Sequence, residues 1–312
     1  IDELCHVLDT QCTACDVKLL LFAAAASSEG YQSTLVPTPP YFMGESYYGI
    51  ERLRRRVALW SSCRQMLDHL RTMKLARHTN SIGDIQLLHW VLIEQTNPKL
   101  RHLKVRRLAS LCKDFNLQRP TTYQPEWLLS VVYKDGQRLK GGNRHCGFLG
   151  CPLQSLYRLL IMGRMDNNWT GPLRLYDNVD GALAQCMASS LSLPANCWSC
   201  SRFGRAPRCV LICEFLPKES AQQQPMQQRE LTIEDTSCLR VHYLLLFSDH
   251  HVPFDLSSPS NYSSQSLGES FENRFRSHGS GQRYRGSRWV FSLLRWILRR
   301  YGHLLQRRQR TF

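Results

Sequence analysis

From Arg274 to Phe312 the sequence has no aspartate or glutamate, and the same stretch holds eleven arginines. The net charge of +15 is therefore concentrated in a C-terminal segment, and the preceding body is close to balanced. A basic tail of this kind points to anionic lipid or nucleic acid. The chain also lacks a regular cysteine framework. Its thirteen cysteines are odd in number and irregularly spaced, which excludes a secreted, disulfide-stapled scaffold and favours separate reduced thiols in a body facing the cytosol. Cys12-x2-Cys15 and Cys197-x2-Cys200 are each half of a zinc pattern, and Cys209-x3-Cys213 lies in an apolar strand; no metal site is expected.

Two apolar segments fall short of what they superficially resemble. Leu19–Ala26 is preceded by Asp16 and other polar residues and has no basic start, so it reads as an amphipathic helix and not as a signal peptide. Trp289 to Leu305 is broken by arginines, whereas a spanning helix needs about 20 largely uncharged residues. It reads as an interfacial helix, with tryptophan at headgroup depth and arginine on anionic lipid. The chain opens on Ile1 and not on Met, the expectation being a trimmed or partial chain.

What is present divides the chain at about residue 118. Residues 12–29 read as a helix, followed by the Pro-rich turn Val36-Pro37-Thr38-Pro39-Pro40, where proline fixes φ and removes donors. Between Glu51 and Ala76 apolar residues recur at three and four, predicting two helical pieces. Ser81 is a possible N-cap for a helix containing Leu87, Leu88 and Trp90, which Asn97-Pro98 ends; Leu103, Val105, Leu108, Leu111 and Phe115 predict a last helix. Residues 1–117 are thus expected to be an all-helical domain.

After Gln118 the pattern turns to strands: Trp127–Tyr133, Cys209–Phe215, Glu230–Glu234 and Leu239–Phe247. They predict a β-rich domain with antiparallel strands over 118–250, and α+β as the fold class. From 251 to 287 serine, glycine, asparagine and arginine dominate, predicting a flexible linker. Residues 288–312 are the basic, membrane-associating tail.

The stretch from Phe148 to Tyr176 carries the clearest site signal. It reads as a short buried strand ending at Gly150, a turn through Pro152, an amphipathic helix stopped by Gly163, and an apolar segment ending on Tyr176. Gly150 has no Cβ, so its backbone can come close to a ligand, and Tyr176 offers a flat face with a polar tip. Together they make a small-molecule clamp.

With both halves laid out, the chain resembles the PARP superfamily of ADP-ribosyltransferases, most of all the branch tail-anchored in the endoplasmic reticulum membrane. The resemblance runs over most of residues 12–248. It is carried by Lys18 to Ala26 with the Pro-rich turn, by Leu88-His89-Trp90-Val91-Leu92, by Trp127–Tyr133, by Trp198-x-x-Ser201, and by the strands at Cys209 and Leu239. In that family a His-Gly pair holds NAD, the His on the adenosine ribose and the Gly backbone on the nicotinamide amide. A Tyr stacks on the nicotinamide ring, and a third residue, often Glu, orients the nicotinamide ribose and favours its oxocarbenium-like transition state.

The resemblance implies Gly150 for the Gly, Tyr176 for the stacking Tyr and Glu230 for the Glu. Met187 stands where a second stacking aromatic is usual, and Ser201 belongs to the Trp-x-x-Ser element. Leu149 stands where the family has His, and Pro172-Leu173-Arg174 replaces the usual Gly-x-Gly. His145 is a possible substitute donor, its alternative being a solvated residue in the Gly141–Gly147 loop.

The implied function is NAD-dependent mono-ADP-ribosylation of protein side chains at a membrane surface, with weakened activity. Glu230 and Tyr176 would be the catalytic residues, Leu149, Gly150, Tyr176, Met187 and Ser201 the NAD-binding positions, and NAD the only cofactor, as substrate. The alternative is a catalytically inactive pseudoenzyme acting as a membrane-tethered binding or scaffold protein. Expected partners are protein substrates and an anionic membrane surface, with nucleic acid disfavoured by the apolar content of the tail. The expected location is the endoplasmic reticulum or another internal membrane, with the body facing the cytoplasm.

Overall fold

A computed structural model of the chain describes residues 1–40, 47–76, 82–95, 97–134, 145–162, 173–189, 198–204, 207–216, 230–233 and 239–248. The expected linker and basic tail, the Gly163 stop, Ser81, Pro172 and Cys197 lie outside these residues. Residues 1–254 form one compact unit.

The chain begins with helices α1 (Asp2–Thr10) and α2 (Cys12–Ser27), a short α3 (Tyr31–Thr34), and then α4 (Tyr47–Ala58) and α5 (Cys63–Ala76). Helix α6 (Ile82–His89) continues into a π-helical turn, Trp90–Glu94. Helix α2 is not the amphipathic helix expected of Leu19–Ala26: thirteen of its sixteen residues are buried around its whole circumference, as befits a helix at the centre of a core. Around it Phe22 stacks on Trp60 with ring centroids 5.9 Å apart and meets Trp90 and Tyr157 edge-on at 6.2 and 5.7 Å. Arg54 closes the C-terminal end of α2, donating to the carbonyls of Ala26 at 2.8 Å and Ser28 at 2.6 Å. There it satisfies carbonyls that the helix leaves open and complements the negative end of the dipole.

Among the described residues seven strands then make one antiparallel sheet: β1 (Lys99–Leu103), β2 (Trp127–Val132), β3 (His145–Gly150), β4 (Leu173–Tyr176), β5 (Arg208–Phe215), β6 (Glu230–Ile233) and β7 (Leu239–Phe247). The order across the sheet is β1-β2-β7-β5-β3-β4-β6. Three more helices join them: α7 (Leu108–Asp114), α8 (Leu153–Met162) and α9 (Val179–Ser189).

Side chains alternate across a strand, and here the alternation separates two apolar clusters. Leu149, Leu175, Leu211, Leu244 and Leu246 share a core with α2 and α8. Phe148, Val210, Ile212, Leu245 and Phe247 share the other with α7 and α9. The sheet is thus the middle layer, covered on one face by the N-terminal helices with α8 and on the other by two short helices.

The α+β class, the N-terminal helical region and the antiparallel sheet agree with the sequence reading. Residues 1–117 are not all-helical, however. The helix expected to begin near Leu103 starts at Leu108, after a tight turn at Val105–Arg107. Lys99–Leu103 is a strand paired with β2 over the full register Lys99↔Val132 to Leu103↔Leu128. Local periodicity at Leu103, Val105 and Leu108 loses to pairing with a partner that lies far along the chain. Helix α1 was not anticipated, although Leu4 and Leu8, four apart and both buried, are its signal.

Candidate functional site

Strands β3, β4 and β6 bring Phe148, Tyr176 and Glu230 into one row. Phe148 is the register partner of Tyr176, and Tyr176 is the partner of Glu230. Directly opposed residues of an antiparallel pair lie about 4.5–5.5 Å apart at Cβ, so Tyr176 and Glu230 are immediate neighbours although 54 positions separate them in the sequence. Gly150 lies two residues beyond Phe148 on the same strand face. The β3–β5 ladder runs to Gly150↔Val210, whereas the β3–β4 pairs end at Leu149↔Leu175.

Leu149 and Gly150 lie on opposite faces of the sheet. Leu149 is fully buried in the cluster shared with α2 and α8, between its partners Leu175 and Leu211. Its side chain fills the core. Gly150 meets helix α9. A Cβ at this position would overlap the carbonyl oxygen of Ala182 and come within 3.0 Å of the Cys186 sulfur. What approaches the Gly150 backbone at this face is the protein's own helix.

Helix α9 also reaches Tyr176. A Cβ on Gly181 would come within 2.5 Å of the Tyr176 ring carbon Cδ1, so the missing side chain lets the helix lie against the half-buried ring. The helix enters through a cap: the Gly181 N–H donates to the Asn178 side-chain oxygen at 2.8 Å. The loop after α7 is tied to the same corner. The Gln118 N–H donates to the Asp177 carbonyl at 2.9 Å, the Gln118 amide to the Asp177 carboxylate at 2.8 Å, and the Thr122 hydroxyl to Asp180 at 3.1 Å. Gly181, Ala182 and Asn178 are therefore site-shaping residues that the sequence reading missed; Asn178-Val-Asp-Gly181 carries the cap signature. Met187 lies in the last turns of α9, and Glu230 opens β6.

Ser201 faces the helical region. Its hydroxyl donates to Asp16 of α2 at 3.4 Å and accepts the Phe203 N–H at 3.3 Å. Arg202 pairs with Asp16 at 3.0 Å and bonds the Thr13 hydroxyl at 2.9 Å. Three residues before Ser201, the buried Trp198 indole donates to the Trp60 carbonyl at 2.9 Å and meets the Trp60 ring edge-on. The Trp-x-x-Ser element thus docks the segment before β5 onto α2 and the α4–α5 corner. Burial raises the Asp16 carboxyl to about 6, with the Arg202 guanidinium and the Ser201 hydroxyl pulling the other way.

His145 opens β3 opposite Phe215 and is half-buried; it is part of the sheet. The thiols around Gly150 are inert. Cys151, Cys186 and Cys209 are buried, and burial pushes all three thiols up, Cys186 to about 12, so no thiolate is available as nucleophile or ligand. Among the described residues no three His, Cys, Asp or Glu side chains converge in a way that could hold a metal ion. Three cavities among the described residues border the α1–α2, π-turn and β1 region, and none of the three is lined by Leu149, Gly150, Tyr176 or Ser201.

Among known proteins, no curated protein matches the chain. Residues 6–92 match the family model described as the ARTD15 N-terminal domain. The match runs from within α1 through α6 into the π-turn, and at the level of the superfamily it supports a chain related to the PARP-type ADP-ribosyltransferases.

Proposed function

We propose that this protein is an ADP-ribosyltransferase-related pseudoenzyme, which keeps the fold but has lost NAD transfer and acts as a membrane-tethered binding protein. The observation that carries the reading is the complete burial of Leu149. The resemblance implies a histidine donor to the adenosine ribose at this position. Leucine cannot donate, and a hydrogen bond lost from a ligand hydroxyl costs about 1–3 kcal/mol, roughly ten- to a hundredfold in affinity. The packing of α9 against Gly150 acts in the same direction, because it occupies one approach to the backbone that would hold the nicotinamide amide. The residues present therefore fit NAD poorly.

A second reading, weak transfer of single ADP-ribose units to protein side chains, is favoured by the juxtaposition of Tyr176 and Glu230. The resemblance assigns these two positions to the reaction, and a carboxylate in that role favours an oxocarbenium-like transition state. Calorimetric titration with NAD and incubation with labelled NAD separate the two readings. The pseudoenzyme shows no heat at millimolar NAD and incorporates no label. Label incorporation that disappears in Glu230→Gln establishes the transferase instead.

The Arg-rich segment 288–312 is the membrane contact in this proposal, on the cytoplasmic face of the endoplasmic reticulum or another internal membrane, with other proteins as partners. Flotation with vesicles containing anionic lipid should recover the full chain and lose a chain ending at Ser287. Equal recovery of both rules out this segment as the anchor.

A further inference from the structure

Among the described residues strand β1 lies at one edge of the sheet, with β2 as its one neighbour in the strand order. An edge strand presents backbone N–H and C=O groups on its outer side and is a template for a further strand. The segment that carries this edge is strongly basic. From Gln95 to Lys113 there is no aspartate or glutamate, and Lys99, Arg101, Lys104, Arg106 and Arg107 are all exposed.

Four arginines elsewhere in the same unit are engaged in ion pairs. Arg54, Arg56, Arg71 and Arg202 pair with Glu51, Asp84, Asp9 and Asp16. None of the five along β1 and the turn after it forms an ion pair with a described residue. Beside the strand, residues 9–14 at the α1–α2 corner and residues 99–102 line an open polar groove. The one carboxylate on the corner, Asp9, is already held by Arg71 at 3.2 Å.

We propose that the free edge of β1 binds an extended acidic segment of a partner protein by strand addition, with Lys99, Arg101 and Lys104 reading its carboxylates. The backbone ladder supplies main-chain bonds and the cations select acidic side chains. Five strand residues call for a partner stretch of about 17 Å, at roughly 3.4 Å per residue. Two other anionic partners fit less well. Residues 95–113 include no Phe, Tyr or Trp, so the stacking platform that single-stranded nucleic acid uses is missing. Leu100 is buried and Leu103 and Val105 are half-buried, so no exposed apolar side chain is offered to a bilayer. The inference is independent of whether NAD is bound.

The test uses the full chain and a fluorescein-labelled peptide of alternating Glu and Thr, followed by anisotropy. A Lys/Thr peptide, an oligothymidylate and vesicles containing phosphatidylserine are the comparison probes. The acidic peptide should bind saturably, and Lys99→Glu with Arg101→Glu should weaken it about tenfold or more, which isolates the edge from the basic C-terminal segment. Hydrogen exchange should show added protection of the Lys99–Leu103 amides when the peptide is bound. Equal binding by the double variant, or binding without protection of those amides, overturns the proposal. So does a double variant that loses the oligonucleotide or the vesicles but retains the peptide.

Discussion

The two faces of the sheet are built on different physical plans. On the face toward α2 and α8, large side chains interlock. Phe22, Trp60, Trp198 and Tyr157 are buried and touch ring to ring, and Leu149 is packed among their aliphatic neighbours. The face toward α7 and α9 also buries Phe148, Ile212, Leu245 and Phe247, but where α9 meets the sheet its closest contacts are made by residues with little or no side chain. Gly150 admits the Ala182 backbone, Gly181 admits the Tyr176 ring, and the covering loop is held by hydrogen bonds at the surface. The first face obtains stability from buried area and aromatic contacts. The second obtains close backbone approach, which packs a helix or receives a ligand but cannot do both in one space. In this protein the first of those uses prevails at Gly150.

The largest effect should come from the aromatic face. Trp198→Ala removes a buried indole, its contact with Trp60 and its hydrogen bond to the Trp60 carbonyl, and should cost about 3–5 kcal/mol in urea unfolding. A loss below 1 kcal/mol would mean that this docking adds little, and the contrast between the faces would fail.

The adjacent pair Leu149 and Gly150 tests both plans in one strand. Leu149→His places a polar ring in a site with no exposure and should destabilise by about 3 kcal/mol without creating NAD binding. A stable variant that binds NAD would return the site to the transferase reading. Gly150→Ala should cost roughly 1–3 kcal/mol for a different reason, because α9 must move away from the Ala182 contact. Its signature is faster hydrogen exchange in α9 with α2 unchanged.

The smallest effect concerns Asp16. Its carboxyl is raised from 3.8 to about 6, so the folded state holds this proton more tightly than the unfolded chain does. The resulting contribution is fully present below pH 3.8 and is lost as pH rises through about 6. It amounts to about 2 kcal/mol once screening near the half-exposed Arg202 is allowed for. Thermal unfolding of Asp16→Asn compared with the natural chain should lack this component between pH 4 and 7. Parallel pH profiles for the two proteins would place the dependence elsewhere.

Much of this architecture was legible in the residues. Helix α2, expected over 12–29, spans Cys12–Ser27, and the apolar strand expected over 209–215 spans Arg208–Phe215. Both are dense enough in apolar residues to need burial wherever they land. Strand β1 was not legible, because Lys-Leu-Arg-His-Leu has no strong preference of its own and takes its conformation from β2. The row of Phe148, Tyr176 and Glu230 was named residue by residue, but its adjacency depends on strand register, which no local pattern states. Ser201, named from the resemblance, bonds a carboxylate from α2, some 185 residues earlier in the chain, a contact that no local pattern states.

Gly150, the apolar strand it ends and the tyrosine that follows α8 were determined by sequence alone, since local chemistry and turn geometry act over a few residues. Which surface came to lie against Gly150, and toward which face Leu149 turned, were decided only by the tertiary structure. A strand alternates its side chains between two faces, and only the packed layers say which face is core and which meets a helix.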